Sequence, residues 1–217
     1  MAKSAVPHLI YDEALEWPFA GVDEVGRGSV AGPVVACALI LREGFIIEGV
    51  RDSKQLSTNQ REKLEKKIVE AAVSYAFGMV DAEEIDKTNI LAATLKAMSI
   101  AIRDLNISPK SVIVDGNQAP ESAYSVVCLE GGDSLSQTVA AASILAKNFR
   151  DRMMVEFNEQ FPEYGFSAHK GYGTKKHFEA IKKHGLCPIH RRTFLKKSEL
   201  LHSQKPPAVS ASILAVH

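Results

Sequence analysis

The stretch Val22-Asp-Glu-Val-Gly-Arg-Gly-Ser29 ends an apolar run with two adjacent carboxylates and follows them at once with glycine, arginine and glycine. Carboxylates so placed could hold a cation or exchange a proton. Gly26 and Gly28 leave backbone N–H groups uncovered on either side of the donor fork of Arg27, which suits a phosphate or a sugar hydroxyl. Side chains alternate across a strand, so Asp23 and Glu24 reach one site only if the strand ends or twists there. A solvated hairpin end fits the same residues, since acidic residues ahead of a glycine-rich turn commonly close one. The stretch alone leaves both readings open.

Two further acids change the balance. Asp115 closes the apolar run Ser111-Val-Ile-Val, and Asp133 follows Gly131-Gly132 where a long helix opens. In a sheet joined by helical crossovers, strand C-termini gather on one edge, where ligand crevices form. Four acids converging there would raise one another's pKa unless cations neutralised them. An oxygen-only donor set with no companion Cys or compact His group favours Mg²⁺ or Mn²⁺ over zinc. His177 and His184 lie one heptad apart, about 10.5 Å along a helix and too far for one ion, so with His190 they are expected to face solvent or phosphate. Neither a P-loop, a nucleophile elbow nor a dinucleotide fingerprint occurs, which counts against an ATPase, a serine hydrolase or a dehydrogenase.

The elements that must position these groups can be read from periodicity. Strands are expected over about 19–25, 31–41, 75–80, 111–115 and 124–129, the first two as a hairpin with Pro33 at an irregular position. Helices are expected over 58–74 with Ser57 as N-cap, and over 82–105, 134–161 and 174–184, with a short basic helix from 190. The 134–161 helix carries a core stripe of Leu135, Val139, Ala142, Ala146, Phe149 and Met153. Beside it runs a small, polar stripe of Ser136, Ala140, Ser143 and Lys147, either packed against the sheet or, at Ser143 and Lys147, meeting substrate. Residues 167–174 read as a polar loop that presents Tyr172 between two glycines.

Composition bounds the rest. The 217 residues are 46% hydrophobic and 24% charged, ordinary for a globular chain and against disorder or a membrane class. The longest apolar stretch, 30–41, contains Gly32 and Pro33 and is too short to span a bilayer, and the N-terminus lacks a signal-peptide apolar region. A cytoplasmic protein is expected, with Cys37, Cys128 and Cys187 as reduced thiols. The net charge of zero conceals an asymmetry: residues 1–166 hold 16 Lys/Arg against 24 Asp/Glu, whereas residues 167–217 hold 10 against 2. A polyanionic partner on the C-terminal quarter would explain this. So would a solvated helix face bearing Lys175, Lys176, Lys182 and Lys183.

Taken in order, DEVGRGSVAGPVV at 23–35, DSKQLS at 52–57, VDG at 114–116, GGDSLSQTVAAASILAKNFRD at 131–151, HKGYGT at 169–174 and HRRTF at 190–194 resemble the type 2 ribonuclease H family, its bacterial ribonuclease HII members in particular. The resemblance implies an α/β RNase H-like fold, a mixed central sheet flanked by helices with a small C-terminal helical extension. It divides the chain into a catalytic core at 1–165, a basic substrate-binding part at 166–202 and an unassigned tail at 203–217. The implied activity is a metal-dependent endonuclease that hydrolyses the RNA strand of RNA–DNA hybrids. It would also incise 5′ of ribonucleotides embedded in duplex DNA, giving 3′-hydroxyl and 5′-phosphate ends. By the same resemblance Asp23, Glu24, Asp115 and Asp133 are the catalytic carboxylates holding two Mg²⁺ or Mn²⁺ ions, with Asp23 bridging. Gly26, Arg27 and Gly28 read the 2′-hydroxyl, Tyr172 stacks on the following deoxyribose, and Lys54 contacts a phosphate. A monomer is expected, and the C-terminus lacks the motif by which some relatives engage a sliding clamp. The chain departs from the family's habit at Val25, Ser29 and Gly131, where alanine, proline and lysine are common. The first two are expected to be packing changes. The alternatives are another RNase H-like nuclease of the resolvase type, or a non-catalytic nucleic-acid-binding module.

Overall fold

A computed structural model describes residues 10–50 and 56–195. Five strands form one mixed sheet: β1 (Phe19–Val25), β2 (Val34–Leu41), β3 (Ala72–Val80), β4 (Ser111–Asp115) and β5 (Ser125–Leu129), in the order β3-β2-β1-β4-β5. β1, β2 and β3 run antiparallel to one another, whereas β4 and β5 run parallel to β1. This is the mixed sheet expected of the RNase H-like fold.

The helices are α1 (Ile10–Glu13), α2 (Thr58–Ala71), α3 (Ala82–Lys87), α4 (Ile90–Arg103), α5 (Gly132–Leu135), α6 (Gln137–Gln160), α7 (Phe166–His169) and α8 (Lys175–His184). β2 is buried along its whole length because it serves two cores. Val34, Ala36, Ala38 and Ile40 point into one with Ala97, Met98 and Ala101 of α4, while Cys37, Leu39 and Leu41 point into the other with Ile68 of α2 and Ala140–Ala142 of α6. A third core joins Val30, Ala31 and Met154 to Phe166, Ile181, Cys187 and Leu195, fastening the C-terminal elements beside the β1–β2 connection.

Several boundaries differ from the sequence expectation, each for a local reason. β2 starts after Pro33, which has no N–H for the ladder, and Ala31 instead bridges to His190. The 58–74 helix stops at Ala71 and β3 begins directly at Ala72, although Ser57 caps it as expected in a reciprocal box with Gln60. The 82–105 helix is broken at Thr88, because the Asn89 side chain accepts from the N–H of Ala92 and starts a new helix. The 134–161 helix likewise restarts at Ser136, whose side chain accepts from the N–H of Val139. Asp12 of α1 supports that start, accepting from the Thr138 N–H and hydroxyl. Leu135, outside α6 proper, is exposed, and Met154 rather than Met153 is buried. Residues 167–174 are not all loop, since α7 includes His169, and of the last basic helix the described residues show a 3-10 turn, Arg192–Leu195.

Candidate active site

Parallel pairing of β1 with β4 ends at Val22 opposite Val114, so Asp23 and Asp115 emerge side by side one residue later. β1 itself does not break there. It continues to Val25, paired with β2, and the chain turns only at Gly26. What ends is the neighbouring strand, and that is how alternating side chains come to share a site. Asp23 is buried, its Oδ1 accepting from the Glu24 N–H at 2.7 Å. Burial, and then the charges of Glu24 and Asp115, push its carboxyl well above the usual range, against a hydrogen bond from Ser143. Burial also raises Glu24; Arg27, with Nη1 at 3.2 Å from Oε1, opposes the rise, and Asp115 adds to it.

Asp133 is buried in the first turn of α5, immediately after Gly132, whose N–H donates to Asp115 Oδ1 at 2.7 Å. The structure therefore couples Asp23, Glu24 and Asp115 electrostatically and brings Asp133 to the same edge through the backbone. Among the described residues no three acidic, His or Cys side chains form a ready cage around one ion. The donor set nevertheless suits a magnesium-type ion, which takes one or two carboxylates and fills its other positions with water and substrate phosphate. Gly131 adopts a left-handed φ of 71°, a conformation lysine adopts only with strain, so this departure accords with the local backbone.

The turn after β1 is held from behind by two buried guanidiniums. Arg150 donates to the carbonyls of Pro33, Lys170 and Ala31, and Arg191 donates to those of Gly32 and Arg27. Burial lowers the pKa of both, that of Arg191 to about 9. The two glycines of the turn differ. Gly26 has φ 93°, and a Cβ there would lie 2.3 Å from Arg150 Nε, so the fold itself requires glycine. A Cβ on Gly28 would meet nothing within 4 Å among the described residues, so packing against them does not demand glycine there. Arg27 is exposed. Ser29 is fully buried with its hydroxyl unpartnered among the described residues, as is Nη2 of Arg191, so this departure leaves a buried polar group as well as a change of packing.

Tyr172 is 38% exposed, as expected, with the Arg150 guanidinium 5.9 Å from its ring centroid. Beyond it α8 exposes Lys175, Lys176, Lys182 and Lys183 while burying His177 and Ile181. Lys54 and the C-terminal residues considered for a clamp motif lie outside the described residues. Lys147 pairs with Asp151 at 2.5 Å, and Ser143 reaches Asp23, so the small, polar stripe of α6 both packs and touches the acidic edge. The histidine expectation holds for His184, which is exposed, and fails for the other two. His177 and His190 are buried and bonded to each other, 3.1 Å between Nε2 atoms, rather than facing solvent. Spacing along α8 was the wrong measure, because the partner of His177 lies 13 residues on in another segment.

Comparison with known proteins agrees with this arrangement. A family model described as ribonuclease HII matches residues 20–197. Similar curated proteins include the ribonuclease HII of Ruminiclostridium cellulolyticum, 51% identical over 82% of this chain and 69% of its own length. That of Endomicrobium trichonymphae is 49% identical over 87% of this chain and 90% of its own. Among solved structures, ribonuclease H2 from Pyrococcus horikoshii is 31% identical with a TM-score of 0.71, over 84% of this chain and 96% of that one. A ribonuclease HII from Archaeoglobus fulgidus, solved in complex with PCNA, is 25% identical with a TM-score of 0.66, over 86% of this chain and 98% of that one.

Proposed function

Since the chain belongs to the ribonuclease HII family, we propose that its acidic sheet edge is the cleavage site and the adjoining glycine–arginine turn its ribonucleotide reader. The chain is an endoribonuclease acting on RNA–DNA hybrids. One observation carries the assignment of the site: Asp23 and Glu24 are raised together, with Asp115 acting on both, directly before the turn clamped by Arg150 and Arg191.

Asp23, Glu24, Asp115 and Asp133 would hold Mg²⁺ or Mn²⁺, two ions per site. Such ions supply, when bound, an activated water and charge neutralisation at the phosphorus and the departing 3′-oxygen. The protein's own part is placement. Ser143 orients Asp23, and Gly132 orients Asp115. Arg27 donates to Glu24 and, being exposed, has further donors to offer a phosphate. The open face of Gly28 lets a sugar come against the backbone, where a 2′-hydroxyl distinguishes a ribonucleotide from its DNA neighbours. Tyr172 offers a ring for the following deoxyribose, and the exposed lysines of α8 hold the flanking backbone. Lys54 would add a phosphate contact.

We place this activity in the cytoplasm, in a monomer, on hybrids and on duplex DNA containing single ribonucleotides; no helix among the described residues is long and apolar enough to cross a membrane. Incision of a duplex with one embedded ribonucleotide, beside its all-DNA counterpart, tests the reading. Cleavage 5′ of the ribonucleotide alone is expected, and equal cutting of both would indicate a resolvase-type nuclease.

A further inference from the structure

Behind the loop that presents Tyr172 lies a chain of hydrogen bonds whose direction is set by its two ends. The Cys187 backbone N–H, which can only donate, lies 2.9 Å from His190 Nδ1, and the Cys187 carbonyl, farther off at 3.3 Å, already accepts from the His190 backbone N–H, so the nearer contact decides and that nitrogen is the acceptor. Cys187 Sγ stands 3.0 Å from the same atom. A neutral His190 then holds its proton on Nε2, 3.1 Å from Nε2 of His177, which must accept. His177 is left with its proton on Nδ1, 2.9 Å from the Tyr172 carbonyl, which can only accept. Two obligatory ends thus leave one tautomer for each imidazole, and a charge on either would set N–H against N–H. Desolvation keeps both neutral, lowering His177 to about 4 and His190 to about 3. His169 stacks on His177 at 4.3 Å and accepts from the Gly171 N–H, bracing the loop from its other side.

The relay also ties the two substrate-facing loops together. His190 bridges to Ala31, and Arg191 N–H donates to Val30 while its side chain holds Arg27. Gly171, just before Tyr172, accepts from Val30 and Ala31. We propose that His177 and His190 are positioning residues which fix Tyr172 at a set distance from the Gly26-Arg27-Gly28 turn and so tune discrimination of the RNA-to-DNA junction. This rests on the reading of Tyr172 as the ring that meets the deoxyribose after the ribonucleotide.

The test compares single-turnover incision of a duplex with one embedded ribonucleotide to cleavage of a uniform RNA–DNA hybrid, which offers no such junction. His177→Leu should lower the ratio of the two rates about tenfold, the worth of one buried hydrogen bond, with hybrid cleavage within about twofold of wild type. His177→Asn, which keeps a donor near the Nδ1 position, should restore most of the ratio. Tyr172→Ala should lower it as far, and adding His177→Leu should lower it no further. If Tyr172→Ala leaves the ratio unchanged, the stacking reading fails. If it lowers the ratio but His177→Leu does not, or the two effects multiply, the positioning role fails and the stacking reading stands. Should His177→Leu not fold, nitrogen–proton correlation spectra of the wild type decide: protons on His177 Nδ1 and His190 Nε2 are expected, and any other tautomer or an imidazolium at neutral pH overturns the relay.

Discussion

Two clusters of titratable side chains have been taken out of water in this molecule, and they resolve the cost in opposite ways. At the sheet edge, burial raises Asp23 and Glu24, the charge of Asp115 adds to both, and Arg27 opposes at Glu24 as Ser143 does at Asp23. Around His177 and His190, burial lowers both groups, and the ring-nitrogen contacts close into one directed chain. On the proposed reading the acidic edge awaits a cation, whereas the histidines are held by contacts within the protein. Burial of ionisable groups therefore does not by itself mark a metal site. The hydrogen-bond accounting around them separates a binding centre from a scaffold.

The largest expected effect breaks the acidic edge. Asp23→Asn should reduce cleavage of an RNA–DNA hybrid by about a thousandfold, the several kcal/mol that charge stabilisation at phosphorus supplies, while hybrid binding measured by anisotropy stays near wild type. The turn gives the next contrast. Gly26→Ala should cost about 2–4 kcal/mol in urea unfolding, through its positive φ and the contact with Arg150. Gly28→Ala should cost less than about 0.5 kcal/mol yet weaken incision at a ribonucleotide, because its Cβ meets solvent or substrate but none of the described residues.

Acid separates the clusters by sign. The histidines bind protons less readily folded than unfolded, so their contribution is full above pH 6.5 and is lost as pH falls toward about 4 and about 3. Asp23 and Glu24 bind protons more readily when folded, so their penalty is relieved as pH falls through their raised values toward the ordinary ones. Melting curves of the metal-free protein should therefore show Asp23→Asn losing stability on acidification more steeply than wild type. Parallel curves would count against the raised carboxyls. A gain rather than a loss is expected at Ser29, where Ser29→Ala should add about 1 kcal/mol by removing a buried hydroxyl without a partner among the described residues.

Local signals made much of the fold legible. β1 and β4 fall on the residues that periodicity indicates, and Ser57 opens α2 as its side chain requires. The break at Asn89 carried a capping residue that a continuous apolar face obscured. The four carboxylates proposed as ligands stood out in the sequence because Asp23 and Glu24 lie in the last residues of β1, Asp115 ends β4 and Asp133 follows two glycines in the first turn of α5. Arg150 and Arg191 were not, because the carbonyls they hold lie 20 to 164 residues away and carbonyls leave no trace in sequence. For the same reason helical spacing, which measures only one element, misjudged His177.

Melting temperature in a Mn²⁺ or Mg²⁺ titration tests the contrast most directly. The wild type and His177→Asn should both rise, by about 2.7 kcal/mol of stabilisation at a hundredfold excess over the dissociation constant, and Asp23→Asn should not. A wild type that does not respond, or an Asp23→Asn variant that responds as strongly, would contradict the assignment of the acidic edge as the cation centre.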